Sequence, residues 1–591
     1  MKKLFYLACS VFLISCDHQE NKGQETAIDN NASFDRYKER FVEELWKMYP
    51  DWATSQGYHA YDSVLVIPGP AERARRLQFV KNNLDSLSHF PKSSLNSNNA
   101  IDLALIGNFL KSTEWGITTF KSYEWDPSMY NYGSVIGDIL NNKQVHTDAK
   151  AATINAKLKN LETYFAAAKA DISSPTKEHT DLAISQLKGT VSFLETSVKD
   201  SIKALGNELS YTYLQNLDKA VVSTNAFIKY LEGLRKEMEA VGGKIRSFRI
   251  GKELYDQKFA FDIQSGMKAE EVYEKALQRK DELHQEMAAI AKRLWPKYMG
   301  KAEQPADVKE MIKALIGTIA KTHVKREDFQ KEIEREIPIL TGFVKKKNLL
   351  YMDPSKPLVV RKEPEWMAGV AGASISSPGP YDKNGNTFYN VGSLAAYSPA
   401  DAESYLREYN KYILQILNIH EAIPGHYAQL IYSNQSPSII KTILGNGAMV
   451  EGWAVYAERM MLEEGWAKNT EINGSIEEDE MWLMYYKWHL RVVCNTILDY
   501  SVHVKGMTED EALNLLMNEA FQEKAEAQGK WRRATLTQVQ LCSYYTGFAE
   551  IFDFRESLKK KEGKAFDLKK FHEKFLSYGS APVKYIKELM Q

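Results

Sequence analysis

From residue 33 to about residue 345 this chain repeats apolar side chains at three- and four-residue spacing, and that periodicity narrows its fold more than any other feature. "FDRYKERFVEELWKMYP" shows the spacing and stops at Pro50. "AATINAKLKNLETYFAAAKADI", "LQNLDKAVVSTNAFIKYLEGLRKEMEAV" and "AEEVYEKALQRKDELHQEMAAIAKRLW" continue it, the last with charges along its outer face. Isolated helices of this length are marginal in water, so such stripes imply helices packed on one another. No fixed period recurs, which argues against a solenoid. Between about residues 355 and 395 the texture changes. "PLVVRK", "GASISSPG" and "NTFYNVGSL" are short, β-branched or aromatic, and bounded by Pro, Gly and Asn, which predicts a small sheet. The Asn-Gly-Asn of "YDKNGNTFYN" is a hairpin signal. The predicted fold is mainly α: a large multi-helix body with a small β-sheet. Residues 33–345 form its helical N-terminal region, and residues 346–591 hold the sheet and then helices again.

The N-terminus points to the cell envelope. "MKKLFYLACSVFLISC" has two lysines, an apolar run too short to span a bilayer as a permanent helix, and a small residue before Cys16. "LISC" resembles the bacterial lipoprotein box, which implies a signal peptide over residues 1–15 and lipid on the Cys16 thiol. The polar stretch that follows cannot bury a core and reads as a tether over residues 16–32. No later stretch resembles a membrane span, so the membrane is expected as a partner only through the lipid anchor. With 76 Lys and Arg against 77 Asp and Glu, the net charge is −1, and nothing suggests nucleic acid as a partner. After the anchor only Cys494 and Cys542 remain, and two buried free thiols are expected rather than a bridge.

The chemistry concentrates in "LNIHEAIPGHYAQL". It begins like the zinc-peptidase signature H-E-x-x-H, whose histidines lie four apart on one helix face. Here His426 follows His420 by six, which on an undisturbed helix sets the rings about 120° apart. The intervening residues offer a remedy. Pro424 cannot donate a backbone hydrogen bond and clashes with the carbonyl four residues back, and Gly425 tolerates unusual dihedrals. Two residues looped out as a bulge would bring His426 back to the missing position. A hydrolytic zinc wants three protein ligands and an open fourth place. "GNGAMVEGWAVYAERM" supplies Glu451 as third ligand to one Zn2+ ion, with Glu458 two turns along the same face to bond a histidine N–H; the reverse assignment is also possible. Glu421, beside the first ligand, suits the role of general base. A lone His-Glu pair on a helix is more often a surface pair; adding His426 and Glu451 is what raises this one above it.

"HEAIPGHYAQ" followed by "EGWAVYAE" resembles the bacterial family called Domain of Unknown Function 885. "PDWATSQGYHAYD", "RVVCNTILDYSVHVKGMTEDEAL" and "SYYTG" extend the likeness over most of the mature chain. The family is mainly helical and resembles gluzincin-like zinc metallopeptidases of the thermolysin superfamily. The resemblance therefore implies a metal-dependent hydrolase and supplies no substrate. In the C-terminal motifs Asp499 and His503 are four apart, with Arg491 eight before Asp499 and roughly on the same face. Asp499 could orient His503 to donate to an oxyanion, or the two could form a structural bond between packed helices. In "WRRATLTQVQLCSYYTG", Arg533, Gln540, Ser543 and Tyr544 fit the family's places, while Gln538 and Val539 stand where Pro-Gly is expected. Tyr544 is a candidate transition-state donor and Arg533 a candidate anchor for a substrate carboxylate, with Arg491 and Gln540 as further candidates for substrate binding; a packing tyrosine and a surface arginine are the alternatives. From the sheet, Tyr389 and Asn390 are candidates to line the groove, whose other wall is expected from the helical N-terminal half. The expected function is a zinc-dependent peptidase acting on short peptides, with exopeptidase action suggested by the carboxylate anchor. A zinc amidase or deacylase acting on envelope material, or a lipoprotein that binds peptides without cutting them, are the alternatives.

Overall fold

A computed structural model describes residues 29–142, 145–240, 245–364, 372–469, 471–472 and 475–591. The signal sequence, Cys16 and most of the expected tether lie outside the described residues. The first helix, Asn30–Met48, begins before residue 33 because Asp29 caps it, its carboxylate accepting from the N–H groups of Asn31 and Ala32. The long helix Ala269–Met299 opens on Glu271, whose carboxylate accepts from the Lys268 N–H at 2.7 Å. Its buried stripe, Val272, Ala276, Leu283, Met287 and Leu294, lies against the helix Glu478–Tyr500. Among the described residues no helix is long and apolar enough to cross a membrane.

The fold is mainly α with a small sheet. Strands β1 (Leu358–Lys362), β2 (Ala373–Ser376) and β3 (Thr387–Val391) are ordered β1-β3-β2. β3 runs parallel to β1, with Val360 opposite Tyr389, and antiparallel to β2, with Ile375 opposite Tyr389. The link from β2 to β3 spans residues 377–386, so the Asn-Gly-Asn stretch belongs to a wide loop and not to a two-residue hairpin.

Two hydrophobic cores organise the helices. One gathers Tyr130, Ile136, Phe165, Leu187, Phe227 and Leu231 into a lobe between residues 130 and 231. The other runs from Phe34 through Ile106, Tyr255, Met287 and Leu340 to Tyr412, Trp453 and Phe575. The change of texture near residue 345 thus marks a change of secondary structure, while the packing continues across it.

One helix crossing sets the site. Helices Gly447–Glu463 and Cys542–Glu562 meet backbone to backbone at Gly452 and Gly547. A Cβ on Gly452 would fall 2.3 Å from the Gly547 carbonyl carbon, and one on Gly547 would fall 1.7 Å from the Ala448 oxygen. No residue larger than glycine allows that approach. Cys494 and Cys542 are both buried and free, the latter with Sγ 3.0 Å from the Tyr255 hydroxyl.

Candidate metal centre

His420 and Glu421 end the helix Lys411–Glu421, which Asn410 caps through the N–H groups of Tyr412 and Ile413. The backbone then loops out two residues. The N–H groups of Ala422 and Ile423 both reach the Asn418 carbonyl, and the Gly425 N–H reaches back to Ile419 O at 3.0 Å, six residues away where a helix would use four. The helix His426–Asn434 restarts at once. Gly425 has φ −72°, so the position demands the absence of a side chain and not a left-handed backbone: a Cβ there would lie 1.8 Å from the His420 oxygen. Trp453, on the helix Gly447–Glu463, clamps the loop by donating its indole N–H to the Pro424 carbonyl at 2.9 Å.

This loop brings both imidazoles to Glu451. Glu451 Oε2 lies 3.3 Å from His426 Nε2 and 3.7 Å from His420 Nε2, and ligand atoms of all three residues lie within 4.8 Å of one another. Donors bonded to one tetrahedral zinc at about 2.0–2.1 Å sit about 3.4 Å apart, so the set fits such an ion. Glu451 Oε2 and His426 Nδ1 are buried without hydrogen-bond partners, a cost that a cation against the carboxylate would offset in part. Glu458 stands behind the site. Its Oε1 accepts from His420 Nδ1 at 2.6 Å and from Trp488 Nε1 at 2.9 Å. With Nδ1 bonded to Glu458, Nε2 is the ring nitrogen that His420 presents to Glu451. Burial opposes a charged His420, but the carboxylates of Glu451 and Glu458 outweigh it and lift the ring to about 10. Burial likewise opposes ionised Glu451, and the two imidazoles outweigh it, holding this carboxyl well below the usual range.

A cavity of about 850 Å³ opens onto these ligands and onto Glu421. Tyr544 and Arg533 also line it. Arg533 Nη2 donates to Gln540 Oε1 and to the Tyr544 hydroxyl, each at 2.9 Å, and the Tyr544 ring stacks on His420 at a centroid distance of 6.2 Å. Burial, partly offset by Arg533, raises the Tyr544 hydroxyl to about 12, so it stays a protonated donor at neutral pH. Gln540 steadies Arg533 and is not a lining residue.

Several sequence expectations need correction. His503 is buried away from the cavity, its Nε2 donating to Ala534 O and Thr537 O at 2.9 Å. The reason is tertiary: the carbonyls at the end of the helix Lys524–Leu536 take its Nε2 proton, and its buried Nδ1 has no hydrogen-bond partner, so Asp499 does not orient the ring. Asp499 instead accepts from Tyr255 Oη and from the N–H groups of Val539 and Leu541. Val539 takes φ +70°, a conformation that favours glycine, and this buried carboxylate holds it there. Asp499 therefore supports the turn beneath Gln540 and Tyr544. Arg491 lines the cavity but is paired with Glu526 at 2.6 Å. Tyr389 and Asn390 lie on the central strand and are fully buried: Tyr389 donates to Asn418 Oδ1, and Asn390 bonds Arg361, Ser374 and Ser376. The sheet meets the cavity through its edge strands, β2 at Ala373, Ser374 and Ile375 and the end of β1 at Lys362. Among the described residues none before Lys362 lines the cavity, so the N-terminal helices back the core and do not wall the groove. Trp488, Glu526 and Lys530 are cavity residues that sequence reasoning missed; a Glu and Lys four apart on a helix look like an ordinary surface pair.

The fold and this centre define a mainly helical protein with a buried His-His-Glu cluster at the base of a cavity. The chain belongs to the bacterial family of proteins of unknown function DUF885, whose profile matches residues 50–590. A candidate lipoprotein of unknown function from Shewanella oneidensis is 52% identical, with a TM-score of 0.81, over 94% of this chain and 99% of that one. A candidate lipoprotein from Colwellia psychrerythraea shares the fold at 17% identity, with a TM-score of 0.74, over 95% of this chain and 98% of its own. No curated protein matches.

Proposed function

We propose that this protein is a zinc-dependent peptidase acting on short peptides. The reading is carried by the convergence of His420 Nε2, His426 Nε2 and Glu451 Oε2 beside a cavity that also receives Glu421. Zinc held by these three atoms would supply Lewis acidity toward a carbonyl and toward water. Glu421 would take the proton of the attacking water and pass it to the leaving amine. Tyr544, protonated at neutral pH and stacked on His420, would donate to the oxygen that gains charge at the carbonyl. Glu458 would keep the proton on His420 Nδ1 and so keep Nε2 free. The kinship with thermolysin-like enzymes implied by the sequence resemblance is part of this proposal, since the matched family and structures are of unknown function. The lipoprotein names of both structural relatives support an envelope location, with lipid on Cys16.

Metal analysis and a mixed peptide library followed by mass spectrometry test the reading. We expect about one zinc per chain after reconstitution, and cleavage of short peptides. A zinc-loaded chain that cuts no peptide but releases acyl or amide groups from envelope material would transfer the same residues to an amidase or deacylase; absence of zinc after reconstitution would end both readings.

A further inference from the structure

Among the described residues, three cations of the cavity have one ion-pair partner between them, Glu526. Arg491, Lys530 and Arg533 all line the cavity, on helices Glu478–Tyr500 and Lys524–Leu536. Glu526 Oε1 lies 2.6 Å from Arg491 and 3.9 Å from Lys530 Nζ, so Arg491 takes most of that partner. Lys530 is only 4% exposed. Arg533 has neutral partners, Gln540 and Tyr544, and its buried Nε has none. Buried charge without an opposite charge is costly, and an anionic ligand is the economical remedy. Burial, with Arg491 and Arg533 close by, holds Lys530 well below the ordinary lysine range, a strain that a bound anion would relieve.

The position narrows the anion. Arg533 touches Tyr544, and Tyr544 stacks on the ligand His420, so a group held by Arg533 is one side chain away from the metal ligands. The Arg533 guanidinium lies 5.7 Å from the Tyr544 ring centroid, itself 6.2 Å from the His420 ring; at about 3.3–3.6 Å per peptide residue, at most about three residues separate the two. We propose that Lys530 and Arg533 together anchor a substrate carboxylate within about three residues of the scissile amide. This rests on the hydrolase reading above and makes the substrates short peptides with a carboxylate near the cut. Two sources share that chemistry: the α-carboxylate of a C-terminus and an Asp or Glu side chain.

The test uses the zinc-loaded full chain and three matched peptides: a free acid, its C-terminal amide, and an amide ending in glutamate. The free acid is expected to be cut with kcat/KM at least about 30-fold above the plain amide. Recovery by the glutamate-ended amide identifies a side-chain carboxylate; no recovery identifies the α-carboxylate; either supports the anchor. Lys530→Met should narrow the acid-to-amide ratio about tenfold through KM, and Lys530→Arg should restore it. Equal cutting of free acid and plain amide by the unaltered chain would overturn the anchor and leave the hydrolase reading standing. If no peptide is cut, the hydrolase reading fails, and calorimetric binding of the same peptides decides the anchor: tighter binding of the acid supports it, and equal affinity or none overturns it.

Discussion

The lobe between residues 130 and 231 and the body around the candidate metal centre are both helical, and both bury large aromatic rings, yet they treat charge differently. The lobe's buried hydroxyls bond their own helices: Thr180 to Thr176 O, Thr190 to Gln186 O, Thr224 to Ala220 O. Its buried charges look outward, Lys157 to Asp51 and Val64 O, Asp171 to Arg73. The body buries His420, Glu421, Glu458, Glu336, Asp499 and Lys530; its charges pair within the body, His420 with Glu458 and Lys530 with Glu526, while Asp499 is held by hydrogen bonds from Tyr255 and two backbone N–H groups. Burying a charge costs more than burying a methylene group, so such density has to be sustained by apolar packing elsewhere. The lobe supplies packing of that kind, and it reaches the site at a helix end: His179 Nε2 donates to Leu536 O at 3.0 Å, beside the carbonyls that His503 caps on the helix carrying Lys530 and Arg533.

If that division of labour holds, changes in the two regions should separate stability from chemistry. The largest effect is expected from Glu421→Gln, with turnover falling about 10²- to 10⁴-fold while zinc content and thermal stability stay unchanged; steady-state hydrolysis with metal analysis reads both. Phe227→Ala should do the opposite. Phe227 is fully buried, 4.5 Å centroid to centroid from Phe165, so its loss should cost about 3–5 kcal/mol in denaturant unfolding and leave zinc affinity unmoved. Gly425→Ala places a methyl group against the His420 carbonyl and should weaken zinc more than about 100-fold in competition with a chelator, exceeding the loss of any supporting hydrogen bond. For Glu458→Gln, which loses the charge behind His420, about 10- to 100-fold weaker zinc is expected in the same titration. Unchanged affinity in both variants would break the assignment of the body to metal binding.

The smallest effect is a pH dependence. Burial, opposed by Asn418, pushes the Glu336 carboxyl from 4.5 up to about 8. Between those values the folded chain holds a proton that the unfolded chain has released, so stability falls as pH rises through that window. Glu336→Gln removes the loss. Its melting temperature should exceed that of the unaltered chain by roughly 1 °C per kcal/mol at alkaline pH, with the difference vanishing near the lower value.

Much of the site was legible because its residues are local in sequence. His420, Glu421 and His426 share one motif, and the Pro-Gly pair announced a break that a regular helix could not accommodate. Glu451 and Glu458 stood two turns apart on an evident helix. Residues whose roles depend on distant partners were not legible. Tyr389 and Asn390 sit on a strand that looks like any other until its two neighbours cover it. Asp499 and His503 sit four apart, yet each bonds a distant segment, Asp499 the turn at Val539 and Leu541 and His503 the carbonyls of Ala534 and Thr537.

The order of residues determined a mainly helical chain, a short sheet, and a histidine motif that requires two residues to loop out, because period, proline and glycine act within a few residues of themselves. Tertiary structure decided the rest. The crossing at Gly452 and Gly547 joins the helix of Glu451 to that of Tyr544, and one carboxylate, Glu526, is committed to Arg491 at 2.6 Å while Lys530 waits at 3.9 Å. Backbone approach and the sharing of buried charge depend on segments tens to hundreds of residues apart, and no local pattern encodes which of them meet.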